Sequence, residues 1–388
     1  MRLVTAGESH GPAVVAVLTG MPAGLTLDRA AIDADLRRRQ GGYGRGGRQA
    51  IEHDEVEVLA GLRGGVTLGS PVCLVVRNRD FDRWRATMDP WAPPTDPAPL
   101  TCPRPGHADL AGALKLGTRD ARPVLERASA RATVARVAAG AVAKALLAEF
   151  GAQVVGHVLS IGDEVAADEA LPRDDARALR RAAEASPVRC ADPAASARMC
   201  AHIDAVRAAG DTLGGIVEVI AFGVPPGLGG YAEEEARLDG RLAAAVLSVP
   251  ALKGVEVGEA FAAARRRGST VHDPIAYDAG ARAFARPTNR AGGIEGGVSN
   301  GAPVWLRAAM KPIPTLQRPL PSVDLQSKEA AAAAAERSDV VAVPAAAVVA
   351  EAAVALTLAD ALCEKLGGDS LAEMRRNHEG YLKALREL

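Results

Sequence analysis

The sequence has few aromatic residues and almost no net charge. Aromatic side chains make up 3% of its 388 residues, and acidic and basic residues balance to a formal net charge of −1. Without a global basic field, neither nucleic acid nor a membrane surface is an expected partner. We find no apolar run long enough to cross a bilayer, and we expect no signal peptide because the first motif lies within the first ten residues.

Cysteine is scarce, and its spacing suggests no pairing. The chain has five cysteines, an odd number, and none of them forms a Cys-x-x-Cys pair. This pattern argues against a disulfide framework and against a zinc site. The sequence therefore predicts a cytoplasmic protein without a bound metal.

The order of strand-like and helix-like segments indicates the fold class. These segments follow one another without the regular alternation of a doubly wound sheet, so we predict an α+β, sandwich-like fold. The strongest strand patterns cover residues 56–60, 72–76, 154–161 and 304–310. The helix patterns cover residues 128–149, 233–247, 327–336, 344–366 and 369–385.

One segment of the sequence is repeated. Residues 11–25 align without gaps to residues 214–228, and both read as a strand that ends at glycine and is followed by a proline turn. Chance similarity between two strand–turn–helix units would produce the same pattern. We favour an internal duplication, because the turn residues match as well as the apolar ones. The predicted organisation is a single domain, 1–388, with two similar halves of roughly 1–195 and 196–388.

Two histidines lie in glycine-containing motifs on either side of an arginine-rich loop. His10 belongs to Gly-Glu-Ser-His-Gly at 7–11, and His107 belongs to Arg-Pro-Gly-His-Ala-Asp at 104–109. Between them, residues 37–48 contain five arginines and five glycines. Glycine allows the backbone to approach a ligand, arginine matches phosphate and carboxylate, and histidine transfers protons near neutral pH. These motifs predict acid–base chemistry on a small polyanion.

Further motifs are weaker on their own. Arg-Ala-Ser-Ala-Arg at 127–131 is predicted to begin a helix, where an anion site or a simple cap is equally plausible. The two glycine pairs within residues 292–301 indicate either a backbone segment that lies against a ligand or an ordinary turn. Lys311 to Thr315 follows a strand and could hold phosphate or serve as a rigid exit loop. The proline-rich segment 77–101 reads as a long loop, which is often functional.

Taken together, these motifs resemble the chorismate synthase family. The matching segments run through nearly the whole chain in the family's order: 7–11, 39–48, 104–109, 127–131, 251–256, 289–301, 311–315 and 337–339. Ser338 stands where the family often has histidine, and Pro250 stands where some relatives have asparagine.

The resemblance implies a reaction and an assembly. The reaction is the anti-1,4 elimination of phosphate from 5-enolpyruvylshikimate 3-phosphate to give chorismate, with reduced FMN required and no net redox change. The implied fold is a β-α-β sandwich with internal pseudo-twofold symmetry, assembled as a homotetramer. Some relatives also reduce their own flavin with NADPH, so NADPH is a possible reductant.

The resemblance also implies roles for individual residues. His107 is assigned to the reduced flavin and His10 to the leaving phosphate, although the two roles can be exchanged; Asp339 is the expected base. The implied substrate-binding residues are Ser9, Arg39, Arg45, Arg48, Arg104, Arg131 and Arg337. The implied cofactor-binding residues are Arg127, Ala128, Ser129, Pro250, Ala251, Gly296, Lys311, Pro312, Ile313, Pro314, Thr315 and Arg337, with Arg39 and Arg45 at positions associated with NADPH.

The charge of these ligands explains why so many arginines are needed. Substrate and reduced FMN together bring on the order of six negative charges into one pocket, and unpaired buried charge is prohibitive. Two other interpretations remain at this point: an RNA-binding protein that uses the loop at 37–48, and a phosphate-eliminating lyase that needs no flavin.

Overall fold

The structure is a computed structural model that describes residues 1–45, 54–91, 99–334 and 339–388. The strands are β1 Arg2–Ala6, β2 Ala13–Thr19, β3 Val56–Ala60, β4 Leu62–Arg63, β5 Val66–Thr67, β6 Val72–Arg77, β7 Gln153–Ile161, β8 Glu164–Val165, β9 Gly215–Phe222, β10 Leu252–Val257, β11 Ala276–Asp278, β12 Ala283–Ala285, β13 Ile294–Glu295, β14 Val298–Ser299, β15 Val304–Met310, β16 Pro321–Val323 and β17 Ala330–Ala332. The α-helices are α1 Arg29–Gln40, α2 Phe81–Trp84, α3 Asp109–Leu116, α4 Arg122–Ala128, α5 Thr133–Ala148, α6 Ala176–Ala185, α7 Pro193–Ala209, α8 Leu238–Leu247, α9 Ala260–Ala263, α10 Gly268–Val271, α11 Val343–Leu366 and α12 Leu371–Glu387.

Two antiparallel sheets form the frame of the protein. The first has the strand order β1-β2-β6-β3, and the second has the order β10-β15-β9-β7-β8. The predicted strands at 56–60, 72–76, 154–161 and 304–310 are confirmed as β3, β6, β7 and β15. Helices and sheets occur in mixed order along one chain, so the α+β class is also confirmed.

Helices fill the space between the two sheets. Helix α5 packs on β2 and β6 of the first sheet, α11 packs on β7 and β9 of the second, and the two helices contact each other. Their closest approach is at Gly140, where an added Cβ would lie 2.4 Å from the Cβ of Ala352. The inward faces of both helices are buried. The core is therefore aliphatic and lies in the helical layer and against the inner faces of the sheets.

The long apolar helix α11 corrects the expectation that no apolar run could cross a bilayer. It has 24 residues and is apolar enough, by length and composition, to span a membrane. In the structure, however, 78% of its most apolar window is buried inside the protein. Pro344 lies in its first turn and Gly367 ends it with a positive φ of 61°, as predicted from the sequence. The helix serves as the core helix of the second half of the chain.

Two helix predictions are wrong, for different reasons. The alanine-rich stretch predicted as a helix at 327–336 contains strand β17, whose residues pair with β16. Alanine's helix propensity is a weak preference that tertiary pairing can override. The helix predicted to begin at Ala128 is interrupted there: α4 ends at Ala128, Ser129 caps a short 3₁₀ turn, and α5 begins at Thr133.

Helix α1 carries the arginine-rich motif into the interior. Asp28 caps its N-terminus, and its last turn contains Arg37, Arg38 and Arg39. Arg38 donates to both carboxylate oxygens of Glu351, a fully buried residue of α11. This ion pair ties the C-terminal end of α1 to the core helix, and Arg39 follows directly in the chain.

Candidate functional site

His10 is held between a carboxylate and an indole ring. Its Nδ1 lies 2.8 Å from Oε1 of Glu126, and its backbone N–H donates to Oε2 of the same carboxylate at 2.9 Å. The ring of Trp84 lies against the imidazole with the ring centroids 4.0 Å apart. Burial would raise the pKa of Glu126, but the hydrogen bonds from His10 and the charge of Arg122 outweigh it and lower that pKa. The Glu126 carboxylate is therefore ionised and accepts the Nδ1 proton of His10.

The neighbouring arginines share one buried carboxylate. Asp54, only 3% exposed, accepts from Nη2 of Arg39 at 2.7 Å and from Nη1 of Arg131 at 2.6 Å. Ser129 accepts from the backbone N–H of Arg131 and receives a hydrogen bond from the hydroxyl of Ser9 at 3.0 Å. Ser9, Arg39 and Arg131 thus belong to one cluster beside His10.

Arg45 and Asp339 extend this cluster. Nη1 of Arg45 lies 3.2 Å from Oδ2 of Asp339. Burial lowers the pKa of Arg45, Asp339 opposes this effect, and the like charge of Arg39 adds to it. Gly44, with φ of +86°, lets the chain pass close to Val341, where a Cβ would lie 2.5 Å from a valine methyl. Three arginines close together, two of them buried, are typical of a site that binds anions.

His107 has its own buried carboxylate. Asp109 is completely buried, and its Oδ1 lies 2.5 Å from Nδ1 of His107. Arg104 donates to Asp109 from Nε and Nη2, and to the hydroxyl of Thr315 from Nη1 at 3.2 Å. Burial would raise the pKa of Asp109, but the bonds from His107 and Arg104 hold it well below its usual range. Asp109 therefore carries a negative charge and binds the side chains of both Arg104 and His107.

The loop at 311–315 lies next to His107. The Lys311 ammonium donates to the carbonyl of Gly106, and the Lys311 backbone N–H donates to the carbonyl of Ala251 at 3.0 Å. Burial and the nearby charge of Lys253 both lower the pKa of Lys311. A bound anion would offset both effects and favour the charged ammonium. Ala251 itself has a positive φ of 70°.

Backbone hydrogen bonds link the loop at 311–315 to the segment that carries Arg45. The hydroxyl of Thr212 donates to the carbonyl of Ile313, and the backbone of Leu213 donates to Val340. Val340 in turn donates to the carbonyl of Gly44, next to Arg45 and Asp339. Residues 44, 212–213, 313 and 340 are therefore linked through the backbone although they are distant in sequence.

Two predicted site residues are exposed in the structure, and others lie outside the described residues. Arg127 is bonded at the surface to the backbone of Thr5 and Gly7. Gly296 is exposed in the turn between β13 and β14. The carbonyl of its neighbour Gly297 accepts from the backbone N–H of Leu238, the first residue of α8. Gly296 is therefore next to the N-terminal end of α8, whereas Ala251 follows the C-terminal end of that helix. Arg48, Arg337 and Ser338 lie outside the described residues.

Sequence reasoning missed the acidic partners. Glu126, Asp54 and Asp109 hold His10, Arg39 and Arg104 in place, and none of them was assigned a role from the sequence. Asp109 could have been suspected, because it belongs to the same short motif as His107. Glu126 and Trp84 approach His10 from distant parts of the chain, and no local pattern marks them.

The donor set suits an anionic cofactor as well as an anionic substrate. Lys311, Arg45, Arg104 and the hydroxyls of Ser129 and Thr315 are phosphate-binding groups. In the described part of the chain, the buried Nε of Arg45 has no hydrogen-bond partner. Burial and the charge of Lys253 lower the pKa of Lys311, and a bound phosphate would favour its charged form. The residues present therefore fit the phosphate-bearing end of FMN.

The fold and the candidate site describe a class of protein: an α+β protein with buried arginines and two histidines that each contact a buried carboxylate. A family model described as chorismate synthase matches residues 1–363. A chorismate synthase from Desulforudis audaxviator (strain MP104C) is 56% identical over 388 residues, covering 100% of this chain and 98% of that protein. One from Symbiobacterium thermophilum (strain DSM 24528 / JCM 14929 / IAM 14863 / T) is 57% identical over 392 residues, covering 99% of each.

A solved structure agrees with these relatives. A crystal structure of chorismate synthase superposes with a TM-score of 0.81 at 41% identity, covering 100% of this chain and 98% of that one. The chain belongs to the chorismate synthase family. Members of this family are lyases that catalyse the last step of the shikimate pathway, in aromatic amino acid biosynthesis, and they use reduced FMN.

Proposed function

We propose that this chain converts 5-enolpyruvylshikimate 3-phosphate to chorismate at a site that includes the two histidine clusters. The observation that carries the proposal is the pairing of each motif histidine with a buried carboxylate beside a group of arginines. Reduced FMN, when bound, supplies electron density to the substrate without net redox change. The protein side chains bind and orient the substrate and the flavin, and they protonate the leaving phosphate.

His10 is proposed to act on the leaving phosphate. Negative charge grows on that group as its C–O bond breaks, and a donor placed there stabilises it. The acid form is the imidazolium, which carries a proton on each ring nitrogen. The ionised carboxylate of Glu126 accepts the hydrogen bond from Nδ1–H, so the proton given to the phosphate is the one on Nε2, and the ring is left as the neutral Nδ1–H tautomer. Ser9, Arg39 and Arg131 lie in the same cluster and are proposed to bind the substrate's anionic groups.

His107 is proposed to serve the flavin side of the site. It lies beside the loop from Lys311 to Thr315, through Arg104 and the carbonyl of Gly106. Asp339 is proposed as the base. Its carboxylate lies 3.2 Å from the guanidinium of Arg45. In the alternative assignment the two histidines exchange roles, and the flavin-binding measurement described below distinguishes the two assignments.

The remaining assignments follow the same geometry. Arg104 and Arg45 are proposed to contact substrate. Arg48 and Arg337 lie outside the described residues, and their role in substrate binding stays a prediction from the family resemblance. The proposed flavin contacts are Ser129, Pro250, Ala251 and the segment Lys311, Pro312, Ile313, Pro314 and Thr315. Arg127, Ala128, Gly296 and Arg337, and NADPH at Arg39 and Arg45, stay predictions from the family resemblance.

The decisive experiment supplies purified protein with substrate under anaerobic conditions, with and without chemically reduced FMN. We expect chorismate only when reduced FMN is present. Formation of chorismate without flavin would support a flavin-independent lyase instead, and salt-sensitive retention of RNA would support the RNA-binding interpretation.

Substitution of the histidines tests their roles. We expect His10→Ala and His107→Ala each to lower kcat by about 10²- to 10⁴-fold, since each removes an acid–base group. Binding of reduced FMN, followed by its absorbance, should weaken in His107→Ala and stay unchanged in His10→Ala. Wild-type turnover by both variants would contradict the proposal, and the reverse pattern of flavin binding would exchange the two roles.

The proposed internal duplication is supported by strand order. In the first sheet the order is β1-β2-β6-β3, and in the second β7-β9-β15-β10 is its counterpart, with β8 added at the edge. The order along the chain also matches, because α1 follows β2 as α8 follows β9. In the first half α5 contacts α1, and in the second half α11 contacts α8. We place the boundary between α5 and β7, earlier than residue 195. An experimental structure in which superposed sheets leave α5 away from α11 would contradict the duplication.

A homotetramer and a cytoplasmic location are also proposed. Support for assembly comes from exposed aromatic side chains on and near the β11–β12 hairpin, at Phe261, Tyr277 and Phe284. Large exposed apolar groups on one segment of an aromatic-poor chain are typical of a protein contact. Support for the cytoplasm comes from the five cysteines, all of which are free thiols. Fractionation of cells that express the tagged chain tests the location.

A further inference from the structure

We propose that Glu126 is the positioning residue for His10: it fixes the ring's orientation and keeps the Nδ1 proton on the imidazole so that Nε2 faces the reacting phosphate. This inference rests on the proposed role of His10. It assigns a function to a buried acid of α4 that no motif indicated.

The first observation is that Glu126 holds His10 at two points. One carboxylate oxygen lies 2.8 Å from the imidazole Nδ1, and the other accepts the backbone N–H of His10 at 2.9 Å. The backbone carbonyl of Glu126 also accepts from the N–H of Ser9 at 2.9 Å. These contacts fix both the side chain and the backbone of the histidine relative to α4.

The second observation is that the other face of the imidazole is also covered. Trp84 of α2 lies 4.0 Å from the His10 ring, centroid to centroid, at an interplanar angle of 35°. The guanidinium of Arg122 lies 5.8 Å from the Trp84 ring and 3.8 Å from the Glu126 carboxylate. Glu126 holds one edge of the imidazole, Trp84 lies against the ring, and Arg122 contacts both of these side chains, so the imidazole has little freedom to rotate.

The third observation is electrostatic. His10 and Glu126 are 9% and 3% exposed at their side chains, so solvent screens their interaction only weakly. The charged groups that face the pair are Arg122 on α4 and, through Ser129 and Ser9, Arg131. A carboxylate that binds one nitrogen of a histidine sets the tautomer and leaves the other nitrogen to act on the ligand.

The test compares Glu126→Gln with the wild type in the anaerobic assay with reduced FMN, as a function of pH. We expect kcat to fall by about 10- to 100-fold, the range seen when a partner that orients a histidine is removed. KM should change far less than kcat, and the high-pH limb of the kcat profile should move to lower pH. Glu126→Asp keeps the charge and should restore part of the loss.

Glu184→Gln is the matched control. Glu184 is also a partly buried acid with arginine partners, Arg38 and Arg189, but it belongs to the structural ion pairs of α1 and α6. We expect this variant to change stability without moving the kcat profile. A Glu126→Gln variant that loses only stability, or raises only KM, would show a structural role and overturn the inference.

A spectroscopic readout separates this inference from the proposed role of His10. In protein labelled with ¹⁵N-histidine, the His10 ring nitrogens are identified by their loss in His10→Ala. We expect the proton on Nδ1 in the wild type and a changed tautomer ratio in Glu126→Gln, with or without activity. An unchanged ratio would overturn the inference, whereas full turnover by His10→Ala together with a changed ratio would overturn only the role of His10.

Discussion

At the scale of single residues, the site is organised by acids as much as by bases. Asp54, Asp109 and Glu126 are each nearly or fully buried, and each binds cations that are proposed to meet the substrate or the flavin. Arginines and histidines gathered for a polyanion repel one another when the ligand is absent. A fixed carboxylate between them lowers this repulsion and holds the donors in position. The acids therefore allow the site to be folded before the ligand arrives.

Asp54→Asn tests this idea. Because Asp54 neutralises both Arg39 and Arg131 in a buried position, we expect the substitution to lower the free energy of unfolding by about 3 kcal/mol. Urea unfolding at fixed protein concentration measures the change. Glu57→Gln is the control: its ion pair with Arg77 is exposed, so a change below about 1 kcal/mol is expected. Equal stability losses in the two variants would contradict the proposed role of Asp54.

At the scale of elements, the two core helices determine how close the sheets can come. Gly140 of α5 and Ala352 of α11 meet with no room for another carbon, because a Cβ on Gly140 would lie 2.7 Å from the Cα of Ala352. Helix α1 packs against both helices and carries Arg39 at its C-terminal end. The spacing of α5 and α11 therefore affects the position of the arginine cluster.

Gly140→Ala tests this contact. The extra methyl must push the helices apart or bend them, so we expect a loss of about 1–3 kcal/mol in the free energy of unfolding. Gly380→Ala is a matched control in helix α12, where an added Cβ meets nothing within 4 Å. There, the higher helix propensity of alanine should increase stability by up to about 1 kcal/mol. Similar effects of both substitutions on the urea midpoint would contradict the close-packing argument.

At the scale of the whole molecule, the open question is assembly. The segment around β11 and β12 forms its own two-stranded sheet and exposes Tyr277 and Phe284, which pack against each other with ring centroids 5.3 Å apart. Burial of such rings against a second copy would stabilise an oligomer by removing apolar surface from water. This hairpin is the surface on which the tetramer proposal can be tested.

We expect Tyr277→Ser combined with Phe284→Ser to lower the molar mass measured by light scattering during size-exclusion chromatography. Tyr231→Ser is the control, since Tyr231 is also largely exposed but does not belong to the hairpin. If the double variant keeps the molar mass of the wild type, the contact between subunits does not involve the hairpin. A wild type of monomer mass at micromolar concentration would contradict the tetramer itself.

Local sequence patterns predicted secondary structure well where the deciding interactions are between residues that are close in the sequence. The strands β3, β6, β7 and β15 and the helix α11 could be predicted because β-branched runs, a leading proline and a closing glycine act on neighbouring residues. These patterns failed at β17, where an alanine run pairs with β16 instead of forming a helix. They also failed at Ser129, where the chain breaks between α4 and α5.

The sequence by itself determined the α+β class, the family, and the two histidine motifs with their arginines, because each depends on residues that are adjacent or keep a fixed order. Only the tertiary structure decided which acids hold these cations. Glu126 lies 116 residues from His10, and Asp54 lies 77 residues from Arg131. A carboxylate has no local signature of such a role, since its partner is chosen by how the sheets and helices pack and by the need to neutralise buried charge.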